Sequence, residues 1–155
     1  MLEGRRYFTN QIWLSRLVAC GFLAAAGATA ATLPVTPLHV AVNLGMANVC
    51  PAGTMSPAPC SRTATLSFTL AADTTIGSVD VVTQGAPNLD FTPTTPDTST
   101  NLCAAKTYTA ATTCTVDVTF TPRYAGPSMG AVVIREGSGN VLATSYLRGT
   151  GGAPS

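Results

Sequence analysis

The chain has 155 residues, 46% of them hydrophobic and only 10% charged, with a formal net charge of +1. That length suits one domain with a real core and is too short for two ordinary ones. Its eight basic and seven acidic residues are scattered, so no basic patch could neutralise a row of phosphates, which argues against a nucleic-acid partner.

Arg5, Arg6 and Arg16 give a basic start, and Leu17 to Ala31 is an uncharged, mostly apolar run. The run contains Ala28-Thr29-Ala30, the small-x-small pattern that precedes a signal-peptidase cut. Its 15 residues fall short of the ~20 that a spanning helix needs. Residues 1–30 are therefore expected to be a helical signal peptide. The mature chain is then exported (secreted, periplasmic or at the cell surface), with no stable membrane span after cleavage. The competing reading is an uncleaved anchor over Ile12 to Ala31. Leu17-Val18-Ala19-Cys20 has the form of a lipoprotein box, but Arg16 leaves no apolar run upstream of it. Arg5-Arg6 resembles a twin-arginine pair, which a basic leader also provides.

Past residue 30, Arg62, Lys106, Arg123, Arg135 and Arg148 face Asp73, Asp80, Asp90, Asp97, Asp117 and Glu136, a net charge of −1. Four cysteines remain: Cys50, Cys60, Cys103 and Cys114. An even number in an exported chain points to disulfides, with three connectivities open. The spacing favours two local loops, Cys50–Cys60 and Cys103–Cys114, each worth about 2–3 kcal/mol in the chain-entropy model. Zinc would ask for paired short spacings and usually histidine, and neither is present.

The region then reads as short alternating stretches broken by turn residues, which means strands. Pro37 to Leu44 sets Leu38, Val40, Val42 and Leu44 against His39, Ala41 and Asn43. Val49 to Ser61 holds three prolines between two cysteines and reads as a loop. Ala64, Leu66, Phe68 and Leu70 alternate with Thr65, Ser67 and Thr69, and Ser78 to Gln84 and Leu89-Asp90-Phe91 follow as weaker strands. Thr92 to Asn101 is polar and proline-bearing, a solvent loop. From Cys114 to Pro122, Cys114, Val116, Val118 and Phe120 point one way and the threonines and Asp117 the other. Gly137 to Asn140, between Gly130–Ile134 and Val141–Leu147, signals a hairpin. No segment carries a helical period with start and stop signals. The reading is all-β: an immunoglobulin-like antiparallel β-sandwich of about seven strands over residues 31–148. The glycine-rich residues 149–155 are expected to form a flexible C-terminal linker, as in a module that has a neighbour.

The string C-T-V-D-V-T-F-T-P-R-Y-A-G from Cys114, the Gly130–Ile134 strand, the turn after it and G-T-G at 149–151 resemble the hydin-like (ASH) immunoglobulin-like domains. In bacteria these stand close to the choice-of-anchor D modules, and more narrowly to those preceding NHL-repeat propellers in exported proteins. The matching positions are Cys103, Cys114, Val116, Val118, Phe120, Pro122, Gly126, Gly130, Gly149 and Gly151. The resemblance implies a bacterial, immunoglobulin-like module within a larger exported protein.

Catalytic chemistry finds little footing. His39 is the single histidine, so any Ser-His-Asp or Cys-His system would need it as base, and it stands in a strand-like stretch without a motif. One histidine also cannot supply a two-histidine copper site. Asp80 and Asp117 fall at outward strand positions, and a calcium site at Asp90 and Asp97 lacks any spacing motif. The sequence thus points to a protein without catalytic residues, metal or cofactor. It would act as a structural spacer or as a contact domain for protein or carbohydrate. The alternatives are a surface fibre or adhesin subunit that adds a strand at an open edge, with Pro34 to Leu44 as the candidate, and a small secreted hydrolase using His39.

Overall fold

Where apolar and polar residues alternate most cleanly, the computed structural model, which describes residues 33–50, 60–94 and 101–154, places long strands. Among those residues the elements are β1 (Val35–Pro37), β2 (Ala41–Val49), β3 (Arg62–Leu70), β4 (Thr74–Thr75), β5 (Ser78–Thr83), β6 (Ala86–Pro87), β7 (Phe91–Pro93), β8 (Thr107–Tyr108), β9 (Thr112–Phe120), β10 (Gly126–Arg135) and β11 (Val141–Pro154). They all lie in one unit, Thr32–Ser155. The expected signal peptide, the centre of the Val49–Ser61 loop and most of Thr92–Asn101 lie outside the described residues. No helix among the described residues is long and apolar enough to cross a membrane.

Two sheets make an immunoglobulin-like sandwich. One has the order β1-β3-β9-β7, the other β2-β11-β10-β5-β6, and β4 and β8 form a small ribbon. Period-two patterning produces the core between them, because each long strand offers one apolar face. Leu66, Phe68 and Leu70 of β3 and Cys114, Val116, Val118 and Phe120 of β9 are buried on one side. Val81, Val132, Ile134, Ala143 and Leu147 meet them from the other sheet. Burying side chains of this size stabilises by about 1.5–3 kcal/mol each.

Four sequence expectations change. Pro37 to Leu44 is not one strand: the chain leaves the first sheet after β1 and joins the second at β2, so Leu38 and Val40 are 67% and 65% exposed. Main-chain groups secure the crossing, with Leu38 N–H donating to Ser67 O at 2.8 Å and Tyr146 N–H to Val40 O at 2.8 Å. Secondly, the sandwich is not wholly antiparallel, because β2 runs parallel to β11. The pairing steps from Asn43↔Arg148 to Met46↔Thr150. Leu44 and Gly45 therefore face Gly149 alone, a bulge in which Gly45 takes φ 80°. Thirdly, Gly149 to Pro154 is the second half of β11 and not a linker, with Gly126↔Gly151 and Ser128↔Gly149 in register against β10. Phe91-Thr92-Pro93, partly assigned to a loop, pairs with β9.

The cysteines join Cys50 to Cys60 and Cys103 to Cys114, with Cα atoms 5.8 and 4.9 Å apart. The second bridge ties the Asn101–Tyr108 segment to β9, helped by Cys103 N–H donating to Thr115 O at 2.9 Å and Thr115 N–H to Asn101 O at 2.8 Å. Tyr108 closes that segment, its hydroxyl accepting from Ala104 N–H at 2.9 Å, and Lys106 Nζ lies 4.8 Å from its ring centroid.

Candidate functional site

The last residues of the family-like string meet the glycines of β10 and β11 at one end of the sandwich. Phe91 and Phe120 are cross-strand partners. Both are fully buried, with ring centroids 4.8 Å apart and planes inclined by 27°. Across the interior stand Gly130 of β10 and Gly149 of β11. A Cβ at Gly130 would lie 2.6 Å from the Phe91 ring, and one at Gly149 would lie 2.5–2.7 Å from three carbons of the Phe120 ring. The missing side chains are sockets for the rings. A Cβ at Gly151 would overlap the Tyr124 carbonyl oxygen and sit 3.0 Å from Pro122 Cβ, so the loop after β9 lies directly on β11. Val116 and Val118 continue the same inward face at 6% and 0% exposure. Gly126 differs in role: its φ of 121° turns the chain into β10. Val116, Val118, Phe120, Pro122, Gly130, Gly149 and Gly151 all act in packing.

Beside this clamp a cleft of about 410 Å³ opens, lined by the turn after β5, the residues before β7 and the loop into β10. Asp90 organises it. Its carboxylate accepts from Arg123 N–H at 3.2 Å and from the Ser128 hydroxyl, and its carbonyl accepts from Thr121 N–H at 2.8 Å. The Arg123 guanidinium donates to Asn88 O at 2.6 Å. Behind these groups Phe91 N–H donates to Thr83 Oγ1 at 2.8 Å. Gln84 and Gly126, with φ of 49° and 121°, line the cleft in left-handed backbone, and Asn88, whose carbonyl holds Arg123, takes φ 57°; such backbone costs a non-glycine residue about 1 kcal/mol or more. Tyr124 stands on the lining 81% exposed. A larger hollow of about 520 Å³ runs along β5 and β6, where Arg135 Nε lies 3.6 Å from Asp80.

The other residues weighed from the sequence do not gather. His39 is exposed in the crossing between sheets, and its carbonyl accepts from the fully buried Ser145 hydroxyl at 2.6 Å. That serine is therefore engaged by the backbone of His39 and not by its imidazole. Asp117 accepts from the Thr65 hydroxyl on the outer face of the first sheet. Asp97 lies outside the described residues, and Asp90 is turned toward Ser128 and Arg123. Among the described residues no three His, Cys, Asp or Glu side chains come together in a metal-holding group. Glu136, at the β10–β11 turn, accepts from Ser138 and Asn140, and these bonds hold its carboxyl below the usual carboxylate range. Sequence reasoning missed Gln84, Asn88, Arg123, Tyr124 and Ser128. Their only signal was the turn chemistry of Gly85, Asn88 and Gly126.

No family model matches the chain, and no curated protein matches it. Among solved structures it is similar to the secreted serine protease VesC from Vibrio cholerae, with a TM-score of 0.52 and 18% identity over 77% of this chain and 23% of that one. It is also similar to the VesB protease of Vibrio cholerae (TM-score 0.47, 14% identity, 76% of this chain and 32% of that one). A third likeness is to PapD-like domain 7 of human CEP192, an ASH/PapD-like domain (TM-score 0.46, 12% identity, 94% of this chain and 100% of that one). At such identities the likeness is of fold alone. The chain spans less than a third of the length of either protease.

Proposed function

We propose that the chain is a non-catalytic, exported immunoglobulin-like module that serves as a spacer or as a contact domain for protein or carbohydrate. The observation that carries this reading is the use made of its most distinctive residues: Phe120, Gly130, Gly149 and Gly151 are sockets and plugs of a core. A residue pattern that builds a rigid body suits a protein that holds or presents something. The sheet topology and the Cys114–Gly126 string support a place among the hydin-like (ASH) and choice-of-anchor D modules, including those that precede NHL-repeat propellers in bacteria. The likeness to 23% of a secreted protease supports a fold that also occurs as part of a longer protein. Two disulfides support an extracytoplasmic, oxidising setting.

Assembly by strand addition finds no support at the segment expected to take part in it. Pro34 to Leu44, the candidate, is paired within its own sheets through β1 and β2. The edge strands β1, β6 and β7 carry Pro37, Pro87 and Pro93, and the fourth edge, β2, carries the Gly45 bulge. Proline and bulges are how sheets prevent edge-to-edge pairing.

The test is turnover of chromogenic ester, peptide and glycoside substrates by the purified chain and by His39→Ala. The expected result is a rate equal to buffer for both. Turnover by the parent chain that disappears in His39→Ala would overturn the reading.

A further inference from the structure

We propose that the cleft around Asp90 binds a neutral oligosaccharide, with Tyr124 as the stacking platform and Arg123 and Gln84 as partners of sugar hydroxyls. This rests on the contact-domain reading above and names the ligand class such a surface would take.

The first support is the way Tyr124 is held. An exposed aromatic on a loose loop would lose entropy on binding, but this loop is pinned at the level of its backbone. Thr121 N–H and Arg123 N–H both donate to Asp90. Pro122 is buried, and the Tyr124 carbonyl rests where a side chain at Gly151 would otherwise be. The ring is nonetheless 81% exposed. A rigid backbone presenting a free aromatic face is a preorganised platform, and preorganisation lowers the cost of binding.

The second support is chemical. The cleft's about 410 Å³ falls within the roughly 300–1,000 Å³ of small-ligand sites. Its two charges are Asp90 and Arg123, of opposite sign, so the site has no net charge to attract an ion. The Asp90 carboxylate is already engaged by Ser128 and Arg123 N–H. Arg123 gives one side-chain bond, to Asn88 O, which leaves donors of its planar fork for a ligand. An apolar ligand would leave those donors unmatched, and an anion would meet Asp90. What fits is an uncharged molecule with many hydroxyls and one apolar face, as in a pyranose ring. Its C–H face would lie on Tyr124, whose ring is apolar in body and polar at the tip.

The test is a ¹H–¹⁵N titration of the full exported chain with cellohexaose and maltohexaose, and with hexagalacturonate as the charged control. The expected result is saturable shifts of the Gln84, Arg123, Tyr124 and Gly126 amides with at least one neutral hexasaccharide. The dissociation constant should be on the order of 1 mM, about tenfold weaker in Tyr124→Ala. Tyr146→Ala removes another exposed tyrosine, on β11 away from the cleft, and should bind as the parent does. An unchanged melting curve for Tyr124→Ala shows that the loss is one of binding. Three results overturn the proposal: no saturation with either neutral sugar up to ~10 mM, undiminished binding by Tyr124→Ala, or hexagalacturonate bound as well as the neutral sugars. Release of new reducing ends would instead overturn the non-catalytic reading and leave the site standing.

Discussion

β7 with β9 to β11, and β1 with β2, hold on to the same sandwich by different means. In the first region large side chains fill the interior and the facing residues are reduced to glycine: Phe120 lies against Gly149, and Phe91 against Gly130. In the second region the strands are split and bulged, with Leu38 and Val40 of the crossing and Met46 of β2 all more than half exposed. Val35, Leu44 and Ala47 reach the core, but the crossing between the two strands and its flanks are held by polar contacts: Leu38 N–H to Ser67 O, Ser145 Oγ to His39 O, and Arg62 Nε to Met46 O at 2.9 Å. Close packing cannot yield by even a methyl group without loss. Solvent-facing side chains can change freely, provided the backbone bonds persist. The motif end should therefore be brittle and the crossing tolerant.

Mutations can break or sharpen that contrast. Phe120→Ala should show the largest loss, about 3–5 kcal/mol in urea unfolding, because a fully buried ring leaves a cavity between two sheets. Replacing Cys103 and Cys114 together by alanine should cost about 2–4 kcal/mol, since an 11-residue separation is released and Cys114 is 2% exposed. Leu38→Ser with Val40→Ser should change stability by no more than about 0.5 kcal/mol, and a loss of several kcal/mol there would erase the contrast. The smallest effect concerns Glu136. An NMR titration should place its carboxyl below the usual range, and Ser138→Ala should move it upward. A carboxyl lowered in the folded state contributes stability above its unfolded value and loses it as pH falls through the folded one. The contribution is therefore present at neutral pH and fades only in acid.

Alternation made β3, β9 and the β10–β11 hairpin legible, because those strands face water on one side and the core on the other. The same signal misled at Leu38 and Val40. Period two tells which residues share a face, but not where a chain steps from one sheet to the other. Residues 149–155 read as a linker because glycine suggests freedom, whereas at Gly149 and Gly151 a missing Cβ makes room for Phe120 and for the Tyr124 carbonyl. The parallel pairing of β2 with β11 left no local trace, since it joins segments about a hundred residues apart. The cleft was illegible for a similar reason: Gln84, Asp90, Arg123 and Tyr124 meet only through the pairing of β7 with β9 and of β5 with β10. The disulfide partners, by contrast, were those that short spacing favoured.

The central claim is that Gly130 and Gly149 exist to seat aromatic rings. A double-mutant cycle on Gly149→Ala and Phe120→Leu, read by urea unfolding, tests it most directly. Gly149→Ala alone should cost about 1–3 kcal/mol by overpacking against the Phe120 ring. Shrinking the ring should return most of that loss, a coupling of about 1–2 kcal/mol. Losses that simply add, to within about 0.5 kcal/mol, would contradict the account, as they would mean that Gly149 and Phe120 do not make room for each other.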